Sequence, residues 1–175
     1  MKKSLSFWQF VGFVCTGIFG TLLHFLYDWT GITIVVLFSA VNESIWEHMK
    51  ILFFPMLIFA IIESRYFAKD YENFWCAKLI GILVGLAVIP VMYYTYTGVL
   101  GVSADWFNII IFFIAAAVAY MIETRLMKID KNFCKSPKVA IIVLCIIAVV
   151  FSVFTFATPK IPLFEDPITK RYGLV

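Results

Sequence analysis

The fold class is decided by residues 7–27, which read FWQFVGFVCTGIFGTLLHFLY. The stretch contains no Asp, Glu, Lys or Arg, and it follows the basic start Met1-Lys2-Lys3. A helix rises about 1.5 Å per residue, so a run of this length crosses a hydrocarbon core of roughly 30 Å. No small-x-small cleavage site follows it, and Val14 before Cys15 fits a lipoprotein cleavage site poorly. We therefore expect a membrane-spanning helix rather than a signal peptide.

The composition of the chain excludes a soluble fold. Of its 175 residues, 63% are hydrophobic and 14% are charged, and the mean hydropathy is +0.97. Too few polar side chains remain to cover a soluble surface, so the bilayer must act as the solvent. The formal net charge of +3 is small and the basic residues lie at segment ends. We therefore expect membrane lipids, and not nucleic acid, as partners.

Four further apolar stretches predict membrane-spanning helices. They run from about Glu43 to Phe67, Cys76 to Tyr96, Asp105 to Leu126 and Val139 to Ala157. The predicted fold class is therefore all-α, a polytopic membrane helix bundle with about five transmembrane helices. We predict a single bundle over residues 1–158 and an extracytoplasmic C-terminal tail over residues 159–175. The tail is rich in proline, and we expect it to fold back over the outer face.

The segment from Gly31 to Val41 is predicted to be re-entrant or interfacial rather than a sixth crossing. In a five-span arrangement, one side collects Lys2, Lys3, Arg65, Lys69, Lys78, Arg125, Lys128, Lys131, Lys135 and Lys138. The positive-inside rule makes that side the cytoplasm, and a full crossing by the segment would reverse the charge bias. We therefore predict a bacterial cytoplasmic membrane protein with its N-terminus inside and its C-terminus outside.

The four cysteines show no metal-ligand spacing. They are Cys15, Cys76, Cys134 and Cys145, and two of them lie deep within apolar runs. We therefore predict packing residues, with no disulfide and no zinc knuckle.

A weak internal repeat relates residues sixty positions apart. Its matched pairs are Trp46 with Trp106, Glu63 with Glu123, Arg65 with Arg125 and Asp70 with Asp130. The pattern indicates either a duplicated two-helix unit or the common chemistry of helix ends. We expect Glu63 and Glu123 to pair locally or to cap the positive loops. Glu47 and His48 have no charged counterpart in the second unit, so the charged cluster described next belongs to the first.

The candidate functional site is a His and carboxylate cluster at the outer ends of the first two helices. His24 and Asp28 are four residues apart and therefore share one helix face, as do Glu43 and Glu47. The short connection indicates that the two helices are antiparallel neighbours, which lets the pairs face each other. The candidate binding residues are His24, Asp28, Asn42, Glu43, Glu47, His48 and Lys50. The candidate metal ligands are His24, Asp28, Glu43, Glu47 and His48.

Three uses of this cluster are open, beside a purely structural one. A mixed His and carboxylate set suits a divalent metal ion such as zinc, manganese or iron. The same groups can exchange protons near neutral pH, without a cofactor, in proton-coupled transport. They can also catalyse a reaction on a lipid or lipid-linked substrate, with Glu47 or His48 moving the proton. In the structural alternative, acidic residues complement the helix dipole, and Glu47 with Lys50 is an ordinary helical ion pair.

Of these, the preferred hypothesis is a binding or transport protein whose cluster holds a metal cation, a proton or a cationic group. The alternatives are an intramembrane metal-dependent enzyme and a structural membrane protein.

Three strings of the sequence resemble those of a bacterial family of small multi-span membrane proteins of unknown function. They are NESIWEHMK at residues 42–50, HFLYDW at residues 24–29 and PLFEDP at residues 162–167, followed by Tyr172-Gly173. The resemblance covers essentially the whole chain and implies a multi-span fold without implying an activity. Where the family pattern reads FSPVNES, this chain has Ala40 in place of the proline.

Overall fold

Five long α-helices build the molecule, seen here in a computed structural model that describes residues 4–130 and 132–174. They are α1 (Leu5–Thr30), α2 (Ile45–Phe67), α3 (Phe74–Leu100), α4 (Asp105–Met127) and α5 (Pro137–Phe156). All five are long and apolar enough to span a membrane, and the described residues contain no strand. The predicted all-α bundle of five spanning helices is confirmed. Lys2, Lys3 and Lys131, which entered the orientation prediction, lie outside the described residues.

The connection between α1 and α2 turns back without crossing the bundle. After Gly31, whose φ of 62° ends α1, the chain forms a short 3-10 helix, Thr33–Leu37. The Ser152 hydroxyl of α5 donates to the Leu37 carbonyl at 3.2 Å. Since Ser152 lies about one turn inside the end of α5, the connection enters the bundle between α1 and α5. We call it the return segment, residues 31–41.

Small residues allow α3 and α4 to lie close together. A Cβ added at Gly81 of α3 would lie 2.9 Å from the carbonyl oxygen of Ala119 on α4. Close backbone approach at glycine is a common mode of helix packing in membranes, where hydrophobic burial does not drive association between helices.

A buried ionic cluster joins four helices at the end of the bundle where α1 begins. Lys78 Nζ of α3 lies 2.5 Å from a Glu63 oxygen on α2 and 2.6 Å from a Glu123 oxygen on α4. Gln9 of α1 donates from Nε2 to the second oxygen of Glu63 at 2.6 Å. We call these four residues the lysine cluster. Glu63 and Glu123 thus bind a lysine inside the bundle, and Lys78 is not a loop charge.

A disulfide joins Cys76 at the start of α3 to Cys134 in the connection between α4 and α5, with the two Cα atoms 5.6 Å apart. The prediction that all four cysteines are free packing residues is wrong for this pair. Their separation of 58 residues in sequence conceals the contact. The Asn73 side-chain oxygen accepts from the Phe133 and Cys134 N–H groups at 2.9 and 3.2 Å, which folds the connection over α3. Cys15 and Cys145 are free.

The C-terminal tail folds back over the end of the bundle where α2 begins. The Phe164 side chain is buried, and its ring centroid lies 4.5 Å from that of Trp46. The Asn42 side-chain amide donates to the Gly173 carbonyl at 2.8 Å. The tail therefore covers part of the end that carries the predicted site.

Candidate functional site

Three of the predicted site residues converge at one point. His24 lies on α1, Glu43 immediately precedes the cap of α2, and His48 is in the first turns of α2. The Nε2 atoms of His24 and His48 lie 3.4 and 3.7 Å from the same Glu43 oxygen. One ligand atom from each residue lies within 4.8 Å of the others, close enough to hold one metal ion. We call these three residues the triad.

The return segment brings Glu43 to the histidines. Buried Ser39 donates from Oγ to the Leu23 carbonyl at 2.6 Å and accepts from the Tyr27 N–H at 3.1 Å. These bonds hold the segment against the last turns of α1, beside His24. Glu43 follows four residues after Ser39, so its carboxylate lies within reach of the His24 ring.

The start of α2 sets the orientation of His48. Ser44 is the N-cap of α2, and its hydroxyl accepts from the Glu47 N–H. The His48 Nδ1 atom lies 2.9 Å from the Ser44 carbonyl oxygen. Because a carbonyl only accepts, Nδ1 carries a hydrogen, and Nε2 is the ring nitrogen that faces Glu43. A hydrogen bond of this kind on the second ring nitrogen is what fixes a metal-binding histidine.

The Glu43 carboxyl group is held in its ionised form. Its contact with His24 lowers its pKa below the ordinary value, against the opposing effect of desolvation by burial. The backbone N–H of Glu43 donates to Asp166 of the tail at 3.3 Å, which fixes the main chain at this point. The triad therefore presents a carboxylate oxygen and two imidazole nitrogens.

Glu47 and Lys50 lie in a different environment from the triad. Lys50 Nζ is 2.5 Å from a Glu47 oxygen, and their side chains are 0% and 3% exposed. The Thr155 hydroxyl donates to Glu47 at 3.1 Å, and Lys50 donates to the Val36 carbonyl at 3.0 Å. This buried pair fastens α2 to α5 and to the return segment.

Asp28 and Asn42 also lie outside the triad. Asp28 is exposed near the end of α1. Asn42 accepts from the Ser44 N–H at 2.9 Å and donates to the tail, so both ends of its amide are engaged in structure.

A groove of about 320 Å³ opens beside the triad between α1, α2 and α4. The triad lines its polar end together with Asp105 and Asn108 of α4. Phe25, Ile109 and Phe113 are exposed on the outer surface of the bundle, so the groove opens sideways. Its apolar lining consists of Gly20, Phe25, Ile51, Ile109, Phe112, Phe113 and Ile168.

Sequence reasoning missed Asp105 and Asn108. Asn108 accepts from the Tyr96 hydroxyl at 2.5 Å and donates to the Ser103 hydroxyl at 3.2 Å, which positions its side chain. One signal was present, because Asn108 aligns with His48 at the sixty-residue offset of the internal repeat. The structure places both of these residues on the same groove.

The sequence model of a family of unknown function, DUF6512, matches residues 1–174. The chain belongs to this family. No curated protein and no solved structure matches the chain. The family description assigns no activity to this DUF6512 protein.

The floor of the groove is apolar. A Cβ added at Gly20 would lie 2.5 Å from the Phe112 ring and 3.1 Å from the Ile51 carbonyl oxygen, so the helices touch there. The side chains of Ile51 and Phe112 are buried. Toward the other end of the bundle, the lysine cluster lies beyond this layer. A ligand of the triad therefore approaches from the side or the end of the bundle.

Proposed function

We propose that this protein binds one divalent transition-metal ion at His24, Glu43 and His48. One observation carries the proposal. In the neutral form of His48 that carries its hydrogen on Nδ1, Nε2 and the Glu43 carboxylate oxygen 3.7 Å away are both acceptors. A cation between them turns this repulsive approach into an attractive one, and the His24 nitrogen lies 3.4 Å from the same oxygen.

The spacing of the triad supports this proposal. In a tetrahedral shell with bonds of 2.0–2.1 Å, neighbouring ligand atoms lie roughly 3.3–3.5 Å apart. The Glu43 oxygen lies 3.4 and 3.7 Å from the two histidine nitrogens, and small ring movements bring both separations into this range. Two imidazoles with one carboxylate suit zinc or ferrous iron, and manganese also accepts such a set.

An open coordination position follows from the number of ligands. Structural zinc sites use four protein ligands, whereas catalytic sites use three and leave one position for water or substrate. The triad supplies three, and the groove provides space for the fourth ligand. The apolar floor of Ile51 and Phe112 opposes a transport path toward the lysine cluster. These features favour ligand binding or metal-dependent catalysis at the membrane surface over transport.

Elemental analysis of the purified protein tests the proposal. We expect about one metal ion per wild-type chain after supplementation with zinc, manganese or iron, and loss of most of it in Glu43→Gln and in His48→Ala. Loss of a hydrogen-bonded partner of a ligand already lowers metal affinity by roughly 10–100-fold, and loss of a ligand should lower it at least as much. Asp28→Asn is the matched control, because this exposed carboxylate lies on α1 but outside the triad.

Two results would contradict the proposal. The first is wild-type protein that holds no stoichiometric metal under any of the three supplements. The second is an Asp28→Asn variant that loses as much metal as Glu43→Gln, which would replace the three-residue ligand set by one that includes Asp28.

A further inference from the structure

We propose that the groove beside the triad takes a membrane phospholipid with a zwitterionic, amine-bearing headgroup. The inference rests on the proposed metal site, since the ion provides the position for the headgroup phosphate. It adds a ligand class and a role for Asp105, neither of which the metal site alone requires.

The apolar wall of the groove fits an acyl chain from the bilayer. Phe25 of α1 and Ile109 and Phe113 of α4 are exposed on the surface of helices that are long enough to span a membrane. That surface faces lipid chains in a spanning bundle. The volume of about 320 Å³ lies within the range of small-molecule pockets. A chain lying along this wall enters without leaving the bilayer.

The charges at the polar end select the headgroup. The groove is lined by the carboxylates of Glu43 and Asp105, by two imidazoles, and by no Lys or Arg. A divalent ion at the triad balances the two carboxylates, which leaves a neutral site that contains separated charges. A headgroup phosphate on the open metal position then leaves Asp105 to accept a nearby ammonium group.

The position of Asp105 supports this assignment. It lies in the first turn of α4, and within residues 4–130 and 132–174 it forms no ion pair. A headgroup without an amine would bring the same negative phosphate near this carboxylate without an ammonium group to compensate the two charges. Like charges at an interface act against the wrong partner, so the site discriminates between headgroups by repulsion as well as by attraction.

Native mass spectrometry of the full-length, metal-loaded protein in detergent tests the inference. The probes are phosphatidylethanolamine and phosphatidylglycerol with identical acyl chains, and the metal content is measured on the same samples. We expect the wild type to retain on the order of tenfold more phosphatidylethanolamine, a difference of about 1.4 kcal/mol. Asp105→Asn should abolish this preference.

A groove-filling pair of variants tests the acyl-chain part. Ile109→Trp fills the groove and should lose lipid retention while keeping its metal. Ile110→Trp is the matched control, because Ile110 is exposed on the same helix but does not line the groove, and it should behave as the wild type.

The outcomes separate the two proposals. Equal retention of the two lipids by metal-loaded wild type, or equal retention by the Ile109→Trp and Ile110→Trp variants, overturns the lipid inference and leaves the metal site standing. Wild type without metal overturns the proposed function instead. Unchanged headgroup preference in metal-free protein also overturns the role given to the ion in lipid binding.

Discussion

The two ends of the bundle each hold a group of ionisable side chains, and they differ in enclosure. In the lysine cluster, the side chains of Lys78, Glu63 and Glu123 are at most 1% exposed. In the triad, His24, His48 and Glu43 are 21%, 17% and 41% exposed, and their contacts are about 1 Å longer. The lysine cluster is closed, whereas the triad borders a groove.

This difference distinguishes a structural use of charge from a functional one. Ionisable residues inside a membrane are functional candidates by default. Here the lysine cluster brings α1, α2, α3 and α4 together around one ammonium group. None of its four residues lines the groove beside the triad. The triad brings fewer elements together and leaves a coordination position free. Substitutions in the lysine cluster should therefore affect stability, and substitutions in the triad should affect ligand binding.

Removal of the central lysine should have the largest effect on stability. Lys78→Met leaves two buried carboxylates without their counter-charge, and breaking a buried ion pair in this way costs about 3–5 kcal/mol. We expect a large fall in the free energy of unfolding, measured by denaturant titration in detergent. His48→Ala should cost much less in stability, although it removes a metal ligand.

The control for this comparison is Lys69→Met, since Lys69 is an exposed lysine at the same end of the bundle. Equal stability of the Lys78→Met and Lys69→Met variants would contradict the structural role of the lysine cluster, and so would a His48→Ala variant as unstable as Lys78→Met.

Loss of the disulfide should have the next largest effect. A disulfide limits the freedom of the unfolded chain, and removal of one costs about 2–4 kcal/mol. Cys134→Ser should therefore lower the free energy of unfolding, and reductant should lower that of the wild type by a similar amount. Cys145→Ser is the control, because Cys145 is free and exposed. Four titratable thiols in unfolded, unreduced wild type would contradict the pairing.

The disulfide also bears on the predicted orientation. It lies at the end of the bundle that carries Arg65, Lys128 and Lys135, the end which the positive-inside rule assigns to the cytoplasm. Disulfides persist mainly in oxidising compartments. The two signals therefore disagree, and the orientation stays a prediction. The oxidation state of Cys76 and Cys134 in intact cells separates the two possibilities.

The spanning helices could be predicted because their signal is local. Length and apolar composition define each span, and the observed bounds differ from the predicted ones by a few residues. That the return segment does not cross the membrane could also be predicted, because a sixth crossing would have reversed the charge bias. The disulfide and the lysine cluster could not be predicted from such patterns. They join residues that are distant in sequence, and no local pattern shows which helices are neighbours.

The site was predictable only in part for a related reason. Spacing by four residues places two side chains on one face only when both lie within the helix. Glu43 precedes the cap residue Ser44 and lies outside α2, so the rule does not apply to Glu43 and Glu47. Glu47 instead bonds Thr155 of α5. Asp105 and Asn108 come from α4, and apart from the match of Asn108 to His48 in the internal repeat, no sequence pattern indicates that this helix lies beside the histidines.

The smallest expected effect concerns Asp166, which fastens the tail to the triad end. Burial raises the pKa of Asp166, but hydrogen bonds from the Thr169, Ile168 and Glu43 N–H groups outweigh it and hold the pKa below the ordinary value. A carboxyl whose pKa is lower in the folded protein adds stability above its unfolded pKa, near 4, and loses it as the pH falls through the folded pKa.

Asp166→Asn should therefore cost about 1 kcal/mol at neutral pH, as expected for weakened hydrogen bonds to a charged group. The difference should begin to shrink as the pH falls below about 4, where the carboxyl of the unfolded chain takes up a proton, and should vanish once the pH lies below the lowered pKa of the folded protein. Unfolding measurements at several pH values check this, with the exposed Asp70→Asn as control. Equal stability of the two proteins at every pH would show that the tail is held by its apolar contacts, such as Phe164 on Trp46, rather than by the Asp166 carboxylate.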